Sequence, residues 1–420
     1  MPAPADDPAK SRVYCLAVLT GVAALNQLDR QLMSILLEPV RREFGLSDIQ
    51  LGFLSGLAFA ALYTTLSIPA AVWAVNHSRR NLIVAAAVVW GGMTALCGAA
   101  QSFAQLLLAR LGVGVGEAGG IPPSHAMISD LYRPGERATA MAIWTSGNNI
   151  GILLAFMFGG IIAQRYGWRT AFVVAGIATV LFGVLVRLTV REPVRSIEAG
   201  AIAMRSRDHV RESLLNLWRD PVMFQTCLGS IITSAVGFGA LAWIPSYLAR
   251  SHQLPLATIG IYLALVIGIG GAIGNWVGGY YSDVLRRRDI RWSLWLVAAV
   301  FIGSKPFSMA FYLIDDTVLA LALFAVPAAA GAVYHGPSIA ALHDRIPAAR
   351  RPIVSAIFLM LINFIGLGLG PLITGALSQL VFAGAGEHSL RYALVVMQAA
   401  GIWGGLHYWL AGRHLAAARP

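Results

Sequence analysis

Asp29, Arg30, Arg110 and Glu117 interrupt two otherwise apolar stretches, residues 13–37 and 103–123. A charge at the centre of a bilayer costs about 2.5–3.5 kcal/mol on insertion scales, so such residues mark paths for protons, ions or charged substrates. A carboxylate in hydrocarbon can exchange a proton, its charged form balanced between the cost of burial and the pull of a nearby arginine. Arginine stays protonated and grips carboxylate or phosphate with two parallel hydrogen bonds. Asp29 and Glu117 are therefore expected to exchange protons, and Arg30 or Arg110 to receive an anionic group. The plainer reading is a static charge cluster that holds helices together.

The elements that carry these residues follow from composition. Apolar residues make up 57% of the 420 positions and charged residues 12%, with mean hydropathy +0.68. Soluble domains carry about 25% charged residues, so the chain reads as an all-α membrane protein. Windows of about 20 apolar residues, the length that spans a bilayer, recur near 13–37, 49–75, 81–100, 103–130, 138–163 and 170–190. A second set falls near 222–249, 257–281, 292–314, 317–343, 353–382 and 390–411. The expected organisation is a disordered tail (1–12), a six-helix bundle (13–190), a linker with an amphipathic helix (191–221), a second six-helix bundle (222–412) and a short tail (413–420).

Arginine distribution sets the expected orientation. With the N-terminus cytoplasmic, about 21 basic residues face inward, among them Arg79–Arg80, Arg286–Arg288 and Arg350–Arg351, against about six outward. Both termini are then cytoplasmic, and the net charge of +11 needs no nucleic-acid partner. At a rise of about 1.5 Å per residue, Asp29 and Arg110 are expected at similar depth, with Glu117 roughly 10 Å nearer the midplane.

The halves are related. At an offset of 214 residues Pro123-Ser124 matches Pro337-Ser338, Asp130 matches Asp344, Arg137 matches Arg351 and Asn149 matches Asn363. Parallel repeats of this kind indicate two pseudo-symmetric bundles with a substrate site between them. At the same offset Arg110 maps to Phe324 and Glu117 to Gly331, so these charges belong to one half alone.

The segment Gly279-Tyr-Tyr-Ser-Asp283-Val-Leu-Arg286-Arg287-Arg288 resembles the loop signature of the major facilitator superfamily (MFS). Its first-half copy departs from the pattern, with Val75 and Asn76 where the family carries Asp-Arg. Asn26-Gln-Leu-Asp29-Arg30, Arg110-Leu-Gly-Val-Gly-Val-Gly-Glu117, Ile128-Ser-Asp130-Leu-Tyr and Tyr166-Gly-Trp168-Arg169 resemble the Spinster branch of that superfamily. The resemblance implies twelve transmembrane helices, alternating access, and transport of an anionic amphiphile such as a lysophospholipid or sphingosine 1-phosphate. It also implies that Asp29, Arg30, Arg110 and Glu117 are the coupling and substrate-gating charges. The alternatives are a small organic anion transporter or a multidrug exporter, and, from other classes, an intramembrane enzyme or a non-transporting receptor.

Asn149, Trp243, Tyr247, His335 and Asn363 are further candidates to line the cavity, although packing is the plainer role for the aromatics. Asp130, Arg137, Asp283, Asp344 and Arg351 are candidate cytoplasmic gate residues. Lys305 is expected to be buried against protein or to snorkel to an interface, and His125 to serve gating or packing. Gly112, Gly114 and Gly116 suit close helix packing rather than a dinucleotide site, since no strand precedes them. Cys15, Cys97 and Cys227 lack paired spacing, and no metal-ligand or nucleophile–base pattern occurs. No cofactor is expected beyond a proton gradient as energy source. The expected setting is a monomer among the lipids of the cytoplasmic (inner) membrane.

Overall fold

Polar caps punctuate the apolar runs in the computed structural model, which describes residues 8–133, 135–193, 212, 215–331, 333–347 and 350–417. Among these residues the helical spans number twelve: α1 (Pro8–Phe44), α2 (Asp48–Gly52 through Ala58–Asn76), α3 (Arg79–Ala99), α4 (Phe103–Glu117 and, after a break, Ile121–Leu131), α5 (Arg137–Tyr166) and α6 (Trp168–Thr189). The second set is α7 (Pro221–Ser251), α8 (Leu256–Arg288), α9 (Trp292–Leu313), α10 (Thr317–Ala330 and, after a break, His335–His343), α11 (Arg351–Leu361 through Leu377–Val381) and α12 (Ser389–Ala417).

Local chemistry explains the boundaries. Ser47 starts α2 with a reciprocal capping box to Gln50, and Ser78, Ser102 and Asp316 accept backbone N–H bonds at the starts of α3, α4 and α10. Asp220 caps α7, whose first residue is Pro221. Gly167, at φ 85°, turns the chain between α5 and α6 in a backbone region that favours glycine. Among the described residues, nine helices are long and apolar enough by themselves to cross a membrane. The two that carry the four buried charges, α1 and α4, fall outside that set.

Equivalent helices pair in both halves. Helix α1 packs on α5 as α7 packs on α11, and α3 packs on α4 and α6 as α9 packs on α10 and α12. The halves meet through α2 against α11 and α5 against α8. Breaks at corresponding places in α4 and α10, just after Glu117 and just after Ala330, carry the repeat into backbone detail. Widened π turns occur in α2 (Phe53–Leu57), α8 (Ala264–Gly270) and α11 (Ile362–Leu369), three of the helices that meet across the halves.

Two boundaries differ from expectation. Helix α1 begins at Pro8, inside the stretch 1–12 expected to be disordered, and α12 runs to Ala417 through most of the expected tail 413–420. Both ends continue as helix through polar residues such as Ser11 and Arg413, whose helix propensities permit it. The amphipathic helix expected in the linker falls largely outside the described residues, although Leu217 is buried beside Val222 and Met223.

Candidate functional site

The four charges converge within the first half. Arg30 Nε donates to Glu117 Oε2 at 2.8 Å, joining α1 to α4. Asp29 faces another way, since successive helical residues point about 100° apart. Its Oδ2 accepts a hydrogen bond from Thr94 Oγ1 of α3 at 2.7 Å. Arg30 lies over the rings of Tyr63 and Phe59, 4.3 and 5.0 Å from their centroids, and Arg110 lies over Phe59 at 5.5 Å. These cation–π contacts place both guanidinium groups against α2.

Asp29 and Arg110 form no ion pair among the described residues, and Arg110 does not bind Glu117. The long arginine side chain lets Arg30 of α1 reach Glu117 at the end of the first segment of α4. Asp29, Arg110 and Glu117 are buried, at 0–1% exposure, whereas the side chain of Arg30 keeps 12%. Small residues permit this packing. A Cβ on Gly116 would stand 2.5 Å from the Trp90 backbone nitrogen, and one on Gly114 would stand 2.8 Å from the Phe59 carbonyl oxygen.

A cavity of about 440 Å³ lies between the halves. Its first-half wall includes Gln27, Arg30, Thr145, Asn148 and Asn149; its second-half wall includes Phe238, Phe301, Lys305, Phe311, Tyr312, Phe324, His335 and Gln398. That volume falls within the roughly 300–1,000 Å³ typical of small-molecule sites. Of the four charges only Arg30 lines it.

Trp243 and Tyr247 do not line the cavity, correcting that expectation. Trp243 donates to the Pro371 carbonyl at 2.9 Å, and Tyr247 donates to the Phe311 carbonyl at 3.0 Å, both within packed protein. Each is an aromatic body with a polar tip, satisfied by a backbone oxygen where helices meet. Asn363 sits half-buried on the π turn of α11, also outside the lining. His125 packs edge-on to Trp144, with centroids 4.4 Å apart.

Beyond the cavity, away from the arginine-rich loops, the halves are sealed together. Arg250 of α7 forks onto Asp48 of α2, at 3.1 and 2.9 Å, while its Nε donates to Glu38 of α1 at 2.7 Å. Ser378 of α11 donates to the same Asp48 at 2.6 Å. Backbones approach closely here: a Cβ on Gly260 would stand 2.2 Å from the Phe156 carbonyl oxygen, and one on Gly56 would stand 2.4 Å from that of Gly368. Glu38, Asp48 and Arg250 are not among the site residues expected from the sequence. A carboxylate ending one apolar run and another opening the next were the available signal.

At the arginine-rich face, pairs run within each half. Arg79 pairs with Asp130, and Arg286 pairs with Asp344 at 2.5 Å. Arg137 Nε donates to the Tyr132 carbonyl at 3.0 Å, as Arg351 Nε donates to that of His343 at 3.2 Å. Among the described residues these contacts brace each bundle from within. The side chains of Val75, Asn76 and Asp283 lie outside the described ones.

The comparisons agree with this geometry. The family model described as "Major Facilitator Superfamily" matches residues 19–371. An "MFS-type efflux pump" of Mycolicibacterium smegmatis is 33% identical over 397 residues, covering 94% of this chain and 91% of that protein. The "Probable L-galactonate transporter" of Escherichia coli (strain K12) is 26% identical over 64% of this chain and 61% of its own. Among solved structures, a bacterial homologue of the human lysosomal transporter Spinster, inward-facing and unoccupied, superposes with a TM-score of 0.87 at 27% identity, covering 98% of each chain.

Proposed function

The chain belongs to the major facilitator superfamily and is a transporter rather than an enzyme; from that premise we propose that it is a proton-coupled secondary transporter of an anionic amphiphile. A lysophospholipid or sphingoid phosphate is the substrate class. The observation that carries the reading is the Arg30–Glu117 pair, an arginine at the cavity wall held at 2.8 Å by a carboxylate sealed behind it.

Ionised Glu117 competes with any anion for Arg30. A proton on Glu117 removes its charge and frees the guanidinium to swing onto a carboxylate or phosphate in the cavity. Proton and anion then bind together, and the cluster of two acids and two bases keeps its charge balance. Asp29, held by Thr94, is the second proton-exchanging carboxylate. The aromatic second-half wall supplies an apolar surface for the tail of an amphiphile. With the arginine-rich face in the cytoplasm of a bacterial inner membrane, the Arg250 seal closes the outer side and the cavity is reached from within. Alternating access then requires that seal to open.

A small organic anion is the second reading, favoured by the polar first-half wall and by likeness to a transporter named for a sugar acid. Binding to the purified chain separates the two. Oleoyl lysophosphatidate should bind more tightly as pH falls, by up to about tenfold per unit for one linked proton. Glu117→Gln should bind it with little pH dependence, at the affinity wild type reaches at low pH. Equal pH dependence in both proteins would remove Glu117 from the coupling; binding of galactonate alone would favour the small anion.

A further inference from the structure

Lys305 is the charge that the sequence motifs do not absorb. It sits in α9 beside Pro306, buried at 6% exposure, and lines the cavity from the second half. Its Nζ donates to Gln398 Oε1 of α12 at 3.0 Å, a neutral partner, and lies 5.5 Å from the Phe301 ring centroid, so among the described residues two of its three donors have no hydrogen-bond acceptor. One turn along α12, Gly401 makes room for the lysine stem, since a Cβ there would stand 2.6 Å from Lys305 Cε. The pocket for this side chain is thus built from a glycine and an amide three residues apart on one helix face.

What is missing from the surroundings matters as much. Neither Asp nor Glu occurs in α7, α9, α10, α11 or α12, and α8 carries only Asp283, near its arginine-rich end. The first-half cluster balances two carboxylates against two guanidinium groups. The helices around Lys305 offer no such counter-charge, and Asp315, in the loop after α9, is paired with Arg391. A buried cation without a counter-ion is costly, and low-dielectric walls strengthen its field in the cavity.

We propose that Lys305, positioned by Gln398 and Gly401, is the second-half anchor for the anionic group of the substrate, a carboxylate or phosphate. The substrate supplies the counter-charge that this half lacks, so an anion shared between Lys305 and Arg30 ties the two halves to one cargo. This rests on the anion-transport reading above and adds the residue that selects for charge.

The test measures binding to the purified full-length protein of oleoyl lysophosphatidate, galactonate and monoolein, the last an uncharged control with the same chain. Wild type, Lys305→Met and Lys305→Arg are compared, with thermal unfolding followed in parallel. Lys305→Met, similar in length and uncharged, should weaken whichever anion binds by at least about tenfold, or about 1.4 kcal/mol. Monoolein binding and the melting temperature should hold, and Lys305→Arg should restore anion binding to within about threefold. Unchanged anion affinity in a folded Lys305→Met overturns the anchor while leaving anion transport standing. Equal weakening of monoolein also overturns it, by showing a packing role. If wild type binds neither anion, the anchor and the anion reading fall together.

Discussion

The two halves share a scaffold but not a charge plan. Both carry a break in the equivalent helix, α4 and α10, and both brace their arginine-rich ends with an Arg–Asp pair. The first half also holds Asp29, Arg30, Arg110 and Glu117, where the repeat places Phe324 and Gly331 opposite the last two. The second half holds one buried lysine and no carboxylate in five of its six helices. Even the seal follows this division, with both carboxylates, Glu38 and Asp48, from the first half and the arginine from the second. Symmetry thus extends to the packing of the helices, while each of these buried charges occurs in one half alone.

The largest effect is expected where the halves meet. Arg250→Ala leaves Glu38 and Asp48, at 3% and 10% side-chain exposure, without their cross-half cation. Losing one partner of a buried pair costs about 3–5 kcal/mol, and the pair exists only while the seal is closed. The variant should therefore shift at least about 100-fold towards open-seal states. Distances between spin labels on the seal-side ends of α1 and α7 would read this, and an unchanged distribution would show that backbone packing alone holds the seal.

A smaller effect sharpens the likeness between the halves. Arg79–Asp130 is the more buried brace, at 13% and 6% side-chain exposure, against 31% and 35% for Arg286–Asp344. Asp130→Asn should cost about 3 kcal/mol of stability and Asp344→Asn about 1 kcal/mol or less. Thermal unfolding of the two variants under one set of conditions checks the order. Equal losses would mean that the repeat is as even in energy as in sequence.

Much of the architecture was legible because apolar windows, caps and arginine asymmetry act locally. Ser47, Ser78, Ser102 and Asp220 each stand at a boundary their side chains explain. The partnerships were not legible. Residue spacing on α4 put Arg110 and Glu117 on one face, yet the rotation of α1 about its axis gave Glu117 to Arg30. No count along one helix fixes the rotation of another. Trp243 and Tyr247 carry the same signature whether they line a cavity or cap a backbone carbonyl, and the choice depends on how closely α7 meets its neighbours. Lys305 was visible as an oddity in an apolar run, but its place at the cavity depends on Gln398 and Gly401, more than 90 residues away.

The coupling role of Glu117 is tested most directly by uptake of oleoyl lysophosphatidate into proteoliposomes under an imposed pH gradient. Wild type should transport faster with the gradient than without it, and Glu117→Gln should reconstitute equally well yet lose that response. A Glu117→Gln protein accelerated by the gradient as much as wild type would contradict a coupling role for the Arg30–Glu117 pair.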